Sequence, residues 1–456
     1  MSTTRTFAEI CTDVAPTGMR RLMSRAVVLG GSIAGLMAAR VLSDHADEVL
    51  IIERDPQDTG DDPRPGVPQG SQVHGLLPAG QIQFERWFPG FIQEAIAAGA
   101  VVPPYGAFEF VMNGSLRTAK PVRLEQPGLV GTRPFLEGLV RRRTLAVPNI
   151  RFVSGRAEGL IVEDGRVVGA RYEGEQGSTE VRADLVVDGM GRSSRLSDWL
   201  EGHGFARPPM QRMGIKLNYA TATFRRDPAM GDTWGSIAFN DGSGGVPRIG
   251  GVNPVEGDRW LVLIAGYADD RPSRDPDEFT ERCVRDFPPM FGQVATGCEM
   301  IGPVITYHQA DSRRRDFHEA RDLPAGVVAA GDAVASFNPI YGQGMTSAAL
   351  HASCLSAYLR TDPDLSRPAR RYFDLVRVVV DAAWQTSTLS DLGLEHVDGP
   401  YPPGYALISR ISGRIARASI SDDAVNHKLS LVTMMLAHPR SLMSPSFVLR
   451  AMLRGA

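Results

Sequence analysis

The run Ala26-Val27-Val28-Leu29 is wholly apolar and passes directly into the turn Gly30-Gly31-Ser32-Ile33-Ala34-Gly35. A helical stretch follows to Leu42, then a second strand, Glu48–Ile52, ending at Glu53. Strand, glycine turn, helix and strand in this order commit the N-terminal part to a β-α-β unit with a parallel sheet. In such a turn the first glycine allows the bend, the second lets a pyrophosphate reach the backbone, and the third lets helix meet strand. Gly30 and Gly35 fill the first and third places, and Ser32 the second. Serine is small, and its hydroxyl is a donor for a phosphate oxygen. The helix that starts near Ser32 offers unpaired N–H groups and a partial positive charge to an anion.

Glu53 stands 23 positions after Gly30, near the ~20 expected of an acid that accepts from ribose hydroxyls. A carboxylate there repels a 2′-phosphate, which disfavours NADP in this pocket. A second signature lies some 300 positions later, where the strand Val327–Ala330 meets Gly331-Asp332. Asp332 is placed to bind polyol hydroxyls. Gly342-Gln343-Gly344 then opens a helix, Met345–Tyr358, whose N-terminus suits a ring that gains negative charge on reduction. Between the two signatures, Asp188-Gly189-Met190-Gly191-Arg192-Ser193-Ser194-Arg195 follows another apolar strand. Alone it reads equally as a strand-to-helix turn with a serine cap. A ligand long enough to need both glycine turns is FAD rather than NAD.

At 456 residues the chain suggests two or three domains. The net charge is −3, with no basic stripe interleaved with aromatics, which excludes nucleic acid as a partner. Cys11, Cys283, Cys298 and Cys354 lack paired spacing and read as reduced cytoplasmic thiols, and nine histidines form no ligand-spaced cluster, so no metal is expected. No apolar run is long enough for a transmembrane segment. Residues 1–24 lack the apolar core of a signal peptide and are expected to form a flexible N-terminus.

Further along, 57–72 reads as a long loop, and Ala79–Trp87 and Pro134–Thr144 as helices. Period-two alternation over Ile150–Asp188 predicts a β-meander, and 213–267 gives longer strands. Gly242–Gly245 leads into Val246-Pro247 rather than a helix, so it is expected to be a hairpin loop. The fold class is therefore α/β: a Rossmann-like FAD-binding domain with an inserted antiparallel β-sheet domain and a C-terminal helical region. The expected boundaries are 25–205 with 300–365 for the discontinuous FAD domain, 206–299 for the substrate sheet and 366–456 for the helical region. In the tail, Ser444–Arg454 is compatible with packing against the core or with a weak membrane-surface contact, packing being preferred.

These motifs, in this order, resemble the FAD-dependent monooxygenases of the p-hydroxybenzoate hydroxylase type (group A). Arg64-Pro65-Gly66-Val67-Pro68-Gln69 with Val73-His74, and Gly331 through Met345, look most like the bacterial branch with polyether epoxidases, distantly related to squalene epoxidase. The resemblance implies that Ser32, Ile33 and Ala34 line the pyrophosphate turn, with Glu53 at the adenosine ribose and Arg54 among the cofactor-binding residues. It implies that the Arg64 loop passes beside the flavin and that Arg133 reaches the phosphate and ribityl region. Asp332 would hold ribityl or phosphate oxygens, and Gly344, Met345 and Thr346 would offer N–H groups to the pyrimidine edge. Pro339 would lie on the substrate side of the ring. Two departures stand out: Ala335 occupies a place that many relatives give to histidine, and the Asp188 segment is not the form most associated with NADPH.

The activity so implied is insertion of one oxygen atom from O2, through a flavin C4a-hydroperoxide, by hydroxylation or epoxidation. NADPH or NADH would supply electrons, directly or through a separate flavin reductase. No general base or other catalytic side chain is identified. Substrate contacts are expected from Gly214–Thr223, where Leu217, Tyr219 and Thr221 point one way and Lys216, Asn218 and Ala220 the other; which face meets the flavin is open. Asn218, Tyr219, Pro339 and Tyr341 are the candidates, with Tyr341 equally a packing residue; His74 reads either as a site residue or as a loop-stabilising hydrogen bond. Scarce clustered positive charge in that sheet favours a lipophilic secondary metabolite, as in antibiotic biosynthesis. The alternatives are a flavin reductase of the prenyl-reductase type and a non-catalytic flavin-binding regulator. A halogenase is disfavoured because no Trp-x-Trp occurs.

Overall fold

The computed structural model describes residues 2–57, 60, 63–67, 69–227, 234–242 and 245–455. Pro68 and the centre of the expected Gly242–Gly245 loop lie outside these residues. The segment expected to be flexible instead carries a helix, α1 (Thr3–Ile10), capped by the Ser2 side chain. Phe7 and Ile10, three positions apart, share one face and are buried. The glycine turn joins β1 (Met23–Leu29) to α2 (Ile33–Leu42), and β2 (Ala46–Glu53) pairs in parallel with β1, Leu29 beside Ile52. Ala26–Leu29 is fully buried, as a central parallel strand requires.

Next come α3 (Pro78–Trp87), α4 (Phe91–Ala97) and the short strands β3 (Glu109–Met112) and β4 (Ser115–Leu116). α5 (Arg133–Leu145) follows, with Pro134 in its first turn and the Thr132 side chain as cap. β5 (Ile150–Ser154) joins β2 in parallel. β6 (Arg156–Glu163), β7 (Arg166–Gly174) and β8 (Gly177–Arg182) form a separate antiparallel sheet. β9 (Leu185–Asp188) returns to pair in parallel with β1 and leads to α6 (Leu196–Gly202). The expected meander therefore survives only in its middle. Its two ends join the parallel sheet, where Leu185–Asp188 is buried throughout.

The larger sheet contains β10 (Met210–Arg225), β11 (Ser236–Asn240), β12 (Arg248–Val255) and β13 (Arg259–Tyr267). After α7 (Pro276–Asp286) and α8 (Pro289–Gly297), β14 (Met300–Arg315) pairs with β10 along most of its length. β15 (Val327–Ala329) completes the parallel sheet, in the order β15-β9-β1-β2-β5. β16 (Ala335–Ser336) gives the antiparallel sheet its outer strand, in the order β16-β14-β10-β13-β12-β11-β3-β4. The boundary expected at residue 300 is thus wrong for 300–315, and 109–116 also belongs to this sheet. Both corrections come from long-range pairing, which local alternation does not report.

The chain ends in α9 (Gln343–Leu359), α10 (Arg370–Asp391), α11 (Tyr405–Ala418), α12 (Asp423–Thr433) and α13 (Pro445–Arg454). The expected single helical region from 366 divides in two. α10 buries Tyr372, Phe373 and Val379 in the main core, whereas α11, α12 and α13 share a small cluster around Ala418, Val425 and Phe447. Phe447 and Ala451 pack inward, while Leu449 and Leu453 are exposed. Among the described residues no helix is long and apolar enough to cross a membrane. The strands β1, β2, β5, β9 and β15 all end on one edge of the parallel sheet, where α/β folds of this kind bind ligands.

Candidate functional site

At the end of β1 the backbone is too crowded for side chains. A Cβ on Gly35 would lie 1.8 Å from the Gly30 carbonyl oxygen, and one on Gly30 would lie 2.6 Å from that of Gly189. Gly30 also has a φ of 97°, which favours glycine. The Gly31 N–H donates to Glu53 Oε2 at 2.6 Å, tying the turn to the end of β2. Arg64 bridges three carboxylates: Asp55 at 3.1 Å, Glu53 at 3.4 Å and Glu137 of α5 at 2.6 Å. Arg141, one turn along α5 from Glu137, donates to it at 3.3 Å and to the Gly31 carbonyl at 2.7 Å.

Ser32 does not point its hydroxyl outward for a phosphate. It donates to Glu137 Oε2 at 2.7 Å and accepts from Arg133 Nη2 at 3.0 Å. Burial acts to raise the Glu137 carboxyl, but Arg133, Arg64, the Ser32 hydroxyl and Arg141 outweigh it and hold it below its ordinary value. Glu137 therefore stays charged and fixes Arg133 at the mouth of the turn. The buried Arg133 Nε has no hydrogen-bond partner in the protein, so a donor remains for an anionic ligand.

At the other end, Gly342 has φ 66° and starts α9 without a side-chain cap. The first N–H groups of the helix are thus left for a ligand. Asp332 lies between the two ends. Burial pushes its carboxyl up, against the pull of Arg133 and Arg192. Beneath it, burial pushes Asp188 up to about 6, although Ser194 and the Met190 N–H donate to it. His74 is held by its Nδ1, 2.9 Å from the Gln72 carbonyl, and burial with Arg133 nearby pushes its imidazole down to about 3. It is neutral at ordinary pH, with Nδ1 as the donor.

One cavity of about 690 Å³ joins these ends. Gly30, Ser32, Ile33, Ala34, Glu53, Arg54, Arg64 and Arg133 line it early in the chain. Asp332, Pro339, Gly344 and Met345 line it late, and Tyr219 lines it from the large sheet. Gly35 sits beneath the turn rather than in the wall, and Thr346 is fully buried with its hydroxyl unpartnered. Two substrate candidates are not brought in. Asn218 alternates away from Tyr219 and is 2.9 Å from His308 Nδ1, while the Tyr341 hydroxyl donates to Asp391 at 3.0 Å. His74 satisfies both of its readings, lining the cavity while bonding within its loop.

Sequence reasoning missed Glu137, Tyr307, Gln309 and Phe337. Tyr307 stacks obliquely on Tyr219 at 5.5 Å, and Gln309 Nε2 donates to the Phe337 carbonyl at 2.8 Å. The available signal for Glu137 was its spacing, four residues from both Arg133 and Arg141 on a helix. Charge is also less scarce than expected: Arg192, Arg212 and Arg313 all gather on Asp311, and Arg192 and Arg313 reach the cavity. Only folding brings these side chains together. Among the described residues no group of three or more His, Cys, Asp and Glu could hold a metal ion. The geometry fits an extended dinucleotide: glycine clearance at one turn, an unpartnered arginine nitrogen beside it, and an uncapped helix start at the far end.

Comparisons with known proteins agree. The profile of the family described as FAD binding domain matches residues 126–361. Protein Rv3254 of Mycobacterium tuberculosis is 32% identical over 393 residues, covering 81% of each chain. Kynurenine 3-monooxygenase of Salinispora arenicola is 27% identical over 393 residues, covering 78% of this chain and 76% of that one. Among solved structures, the flavin-dependent brominase Bmp2 superposes with a TM-score of 0.66 at 15% identity, covering 95% of this chain and 98% of its own. At that identity the likeness concerns the fold alone.

Proposed function

The chain belongs to the FAD-binding-domain family of flavin-dependent monooxygenases, and within that family we propose that it oxygenates a lipophilic small molecule, by hydroxylation or epoxidation. The observation that carries this reading is the continuity of the cavity from Glu53 to the start of α9 and on to the tyrosines of the large sheet. A cofactor gripped at Glu53 would present its far end to a wall of Tyr219, Tyr307, Phe337, Pro339 and Met345. Held by Glu53, Arg133, Asp332 and the N–H groups at the start of α9, FAD would supply the redox chemistry that activates O2.

The chain's own residues do the rest. Glu53 and Asp332 would accept from sugar and ribityl hydroxyls, and Arg133 would neutralise pyrophosphate. The N–H groups at the start of α9 would favour negative charge on the ring without a fixed cation. With substrate bound, the aromatic side of the wall would help to keep water from the reacting oxygen. NADPH or NADH is proposed as the reductant, with O2 as co-substrate; a separate flavin reductase is the alternative route.

The test is anaerobic reduction of the bound flavin by NADH and NADPH with and without candidate lipophilic metabolites, followed by turnover under isotopically labelled O2. One labelled oxygen atom in the product is expected. Turnover that reduces a carbon–carbon double bond and leaves the label in water would turn the reading to a prenyl-type reductase. Flavin reoxidation with no metabolite turnover at all would point to a regulatory flavoprotein.

A further inference from the structure

Behind the cavity wall lies a carboxyl that none of these roles uses. Asp391, the last residue of α10, is fully buried. Its Oδ1 accepts from the Asn338 amide at 2.9 Å and from the Tyr341 hydroxyl at 3.0 Å. Its Oδ2 is buried with no hydrogen-bond partner. Among the described residues no Arg, Lys or His forms an ion pair with it; the groups facing it are Asn338 and Tyr341 before α9 and Tyr267 of β13. The Tyr267 hydroxyl accepts from Asn338 at 3.3 Å, and Ser390 bonds to Tyr341. His396 lies 5.6 Å from the Tyr267 ring but turns its Nε2 to the Ile215 carbonyl at 2.8 Å. A carboxylate with one bare oxygen and no cation in dry surroundings is unfavourable.

The two donors to Asp391 bracket a single turn, Pro339–Tyr341, and Asn338 also caps that turn by accepting from the Ile340 N–H at 3.3 Å. The opposite side of the same turn faces the ligand: Asn338, Pro339 and Gly342 line the cavity just before α9 begins. We infer that Asp391 is a positioning residue which fixes the Asn338–Gly342 turn against the ring end of the cavity when it carries its proton, and releases that turn when the proton is lost to solvent. The inference rests on the FAD reading above. Burial pushes the Asp391 carboxyl up to about 7, against the pull of the bonds from Tyr341 and Asn338. Ionisation would strengthen the bonds from Tyr341 and Asn338, but it would leave the buried Oδ2 charged with neither a donor nor a cation, so the segment gains by opening that oxygen to water.

The experiment follows the visible spectrum of bound FAD from about pH 5 to 9 in the holoenzyme, for the unaltered chain, Asp391→Asn and Tyr341→Phe, the range bracketing the expected titration. In parallel, the protonated-carboxyl infrared band is taken as the difference between the unaltered chain and Asp391→Asn. The unaltered chain is expected to show a one-proton spectral shift centred near 7, which Asp391→Asn abolishes while keeping the low-pH spectrum. Tyr341→Phe removes a bond that favours the carboxylate and should move the midpoint upward; it also serves if the asparagine variant does not fold. A shift that persists in Asp391→Asn, or a carboxyl band that titrates while the flavin spectrum stays fixed, would overturn the inference. A chain that takes up no FAD would overturn the cofactor reading and this inference with it; the infrared band separates that failure from the others.

Discussion

The two ends of the cavity are held by different physics. Around Glu53 the wall is charge: Arg64, Arg133 and Arg141 are interleaved with Glu53, Asp55 and Glu137, and nearly every contact is an ion pair or a charge-assisted hydrogen bond. Around the start of α9 the wall is mainly backbone and rings, its arginines Arg192 and Arg313 being engaged by Asp311, with Asp391 buried behind it without a counter-ion. The difference suits the proposed ligand. An adenylate end keeps its charge throughout, so fixed countercharges serve it. A flavin ring changes charge during turnover, and a helix N-terminus favours the reduced form without locking the oxidised one.

That contrast can be broken at its strongest point. Gly35→Ala places a Cβ within 1.8 Å of the Gly30 carbonyl, against backbone that has nowhere to move. The variant is expected to be largely insoluble, and any soluble fraction to be colourless, by yield and absorbance. Next in size, Glu137→Ala leaves Arg64, Arg133 and Arg141 facing one another. Breaking such a buried cluster should cost roughly 3–5 kcal/mol in denaturant unfolding. Glu53→Gln sharpens the comparison: FAD affinity should fall by about 1.5–3 kcal/mol, as for a lost charged hydrogen bond. FMN, which has no adenylate end, should bind the variant and the unaltered chain alike.

The smallest effect concerns pH. The Asp391 carboxyl stands near 7 when folded against 3.8 for an ordinary aspartate. Between those values the folded chain holds a proton that the unfolded chain has released. The stability this group contributes is therefore complete below the lower value and is lost as pH rises to the upper one. Asp391→Asn cannot ionise, so its melting temperature should gain on that of the unaltered chain between pH 5 and 8, by about 2–4 °C. A constant difference across that range would contradict the assignment.

What the sequence disclosed follows the same division. Gly30, Gly35, Glu53 and Asp332 were legible because each acts within a few residues of a strand end, where spacing alone reports the geometry. The fold class was legible for the same reason. Tyr307 and Gln309 were not, because β14 reaches β10 across ninety-odd residues and its mixed pattern hides which face is buried. Glu137 was hidden by lying on a helix recognised from the proline in its first turn, with its charged spacing to Arg133 and Arg141 left unused. Asp391 sits on the last turn of α10, and nothing local foretells its meeting with Asn338 and Tyr341. Ser32 shows the converse: a residue found correctly at the turn whose hydroxyl is engaged by a partner 105 positions away.

The central claim, that one cavity grips an adenylate end by charge and a ring end by backbone, is tested most directly by titrating the cofactor-free chain with FAD and FMN. The account predicts one FAD per chain, bound about 100-fold more tightly than FMN, since the proposed contacts at Glu53 and Arg133 would be charged hydrogen bonds. FMN binding as tightly as FAD, or a folded chain that stays colourless in excess FAD, would contradict it.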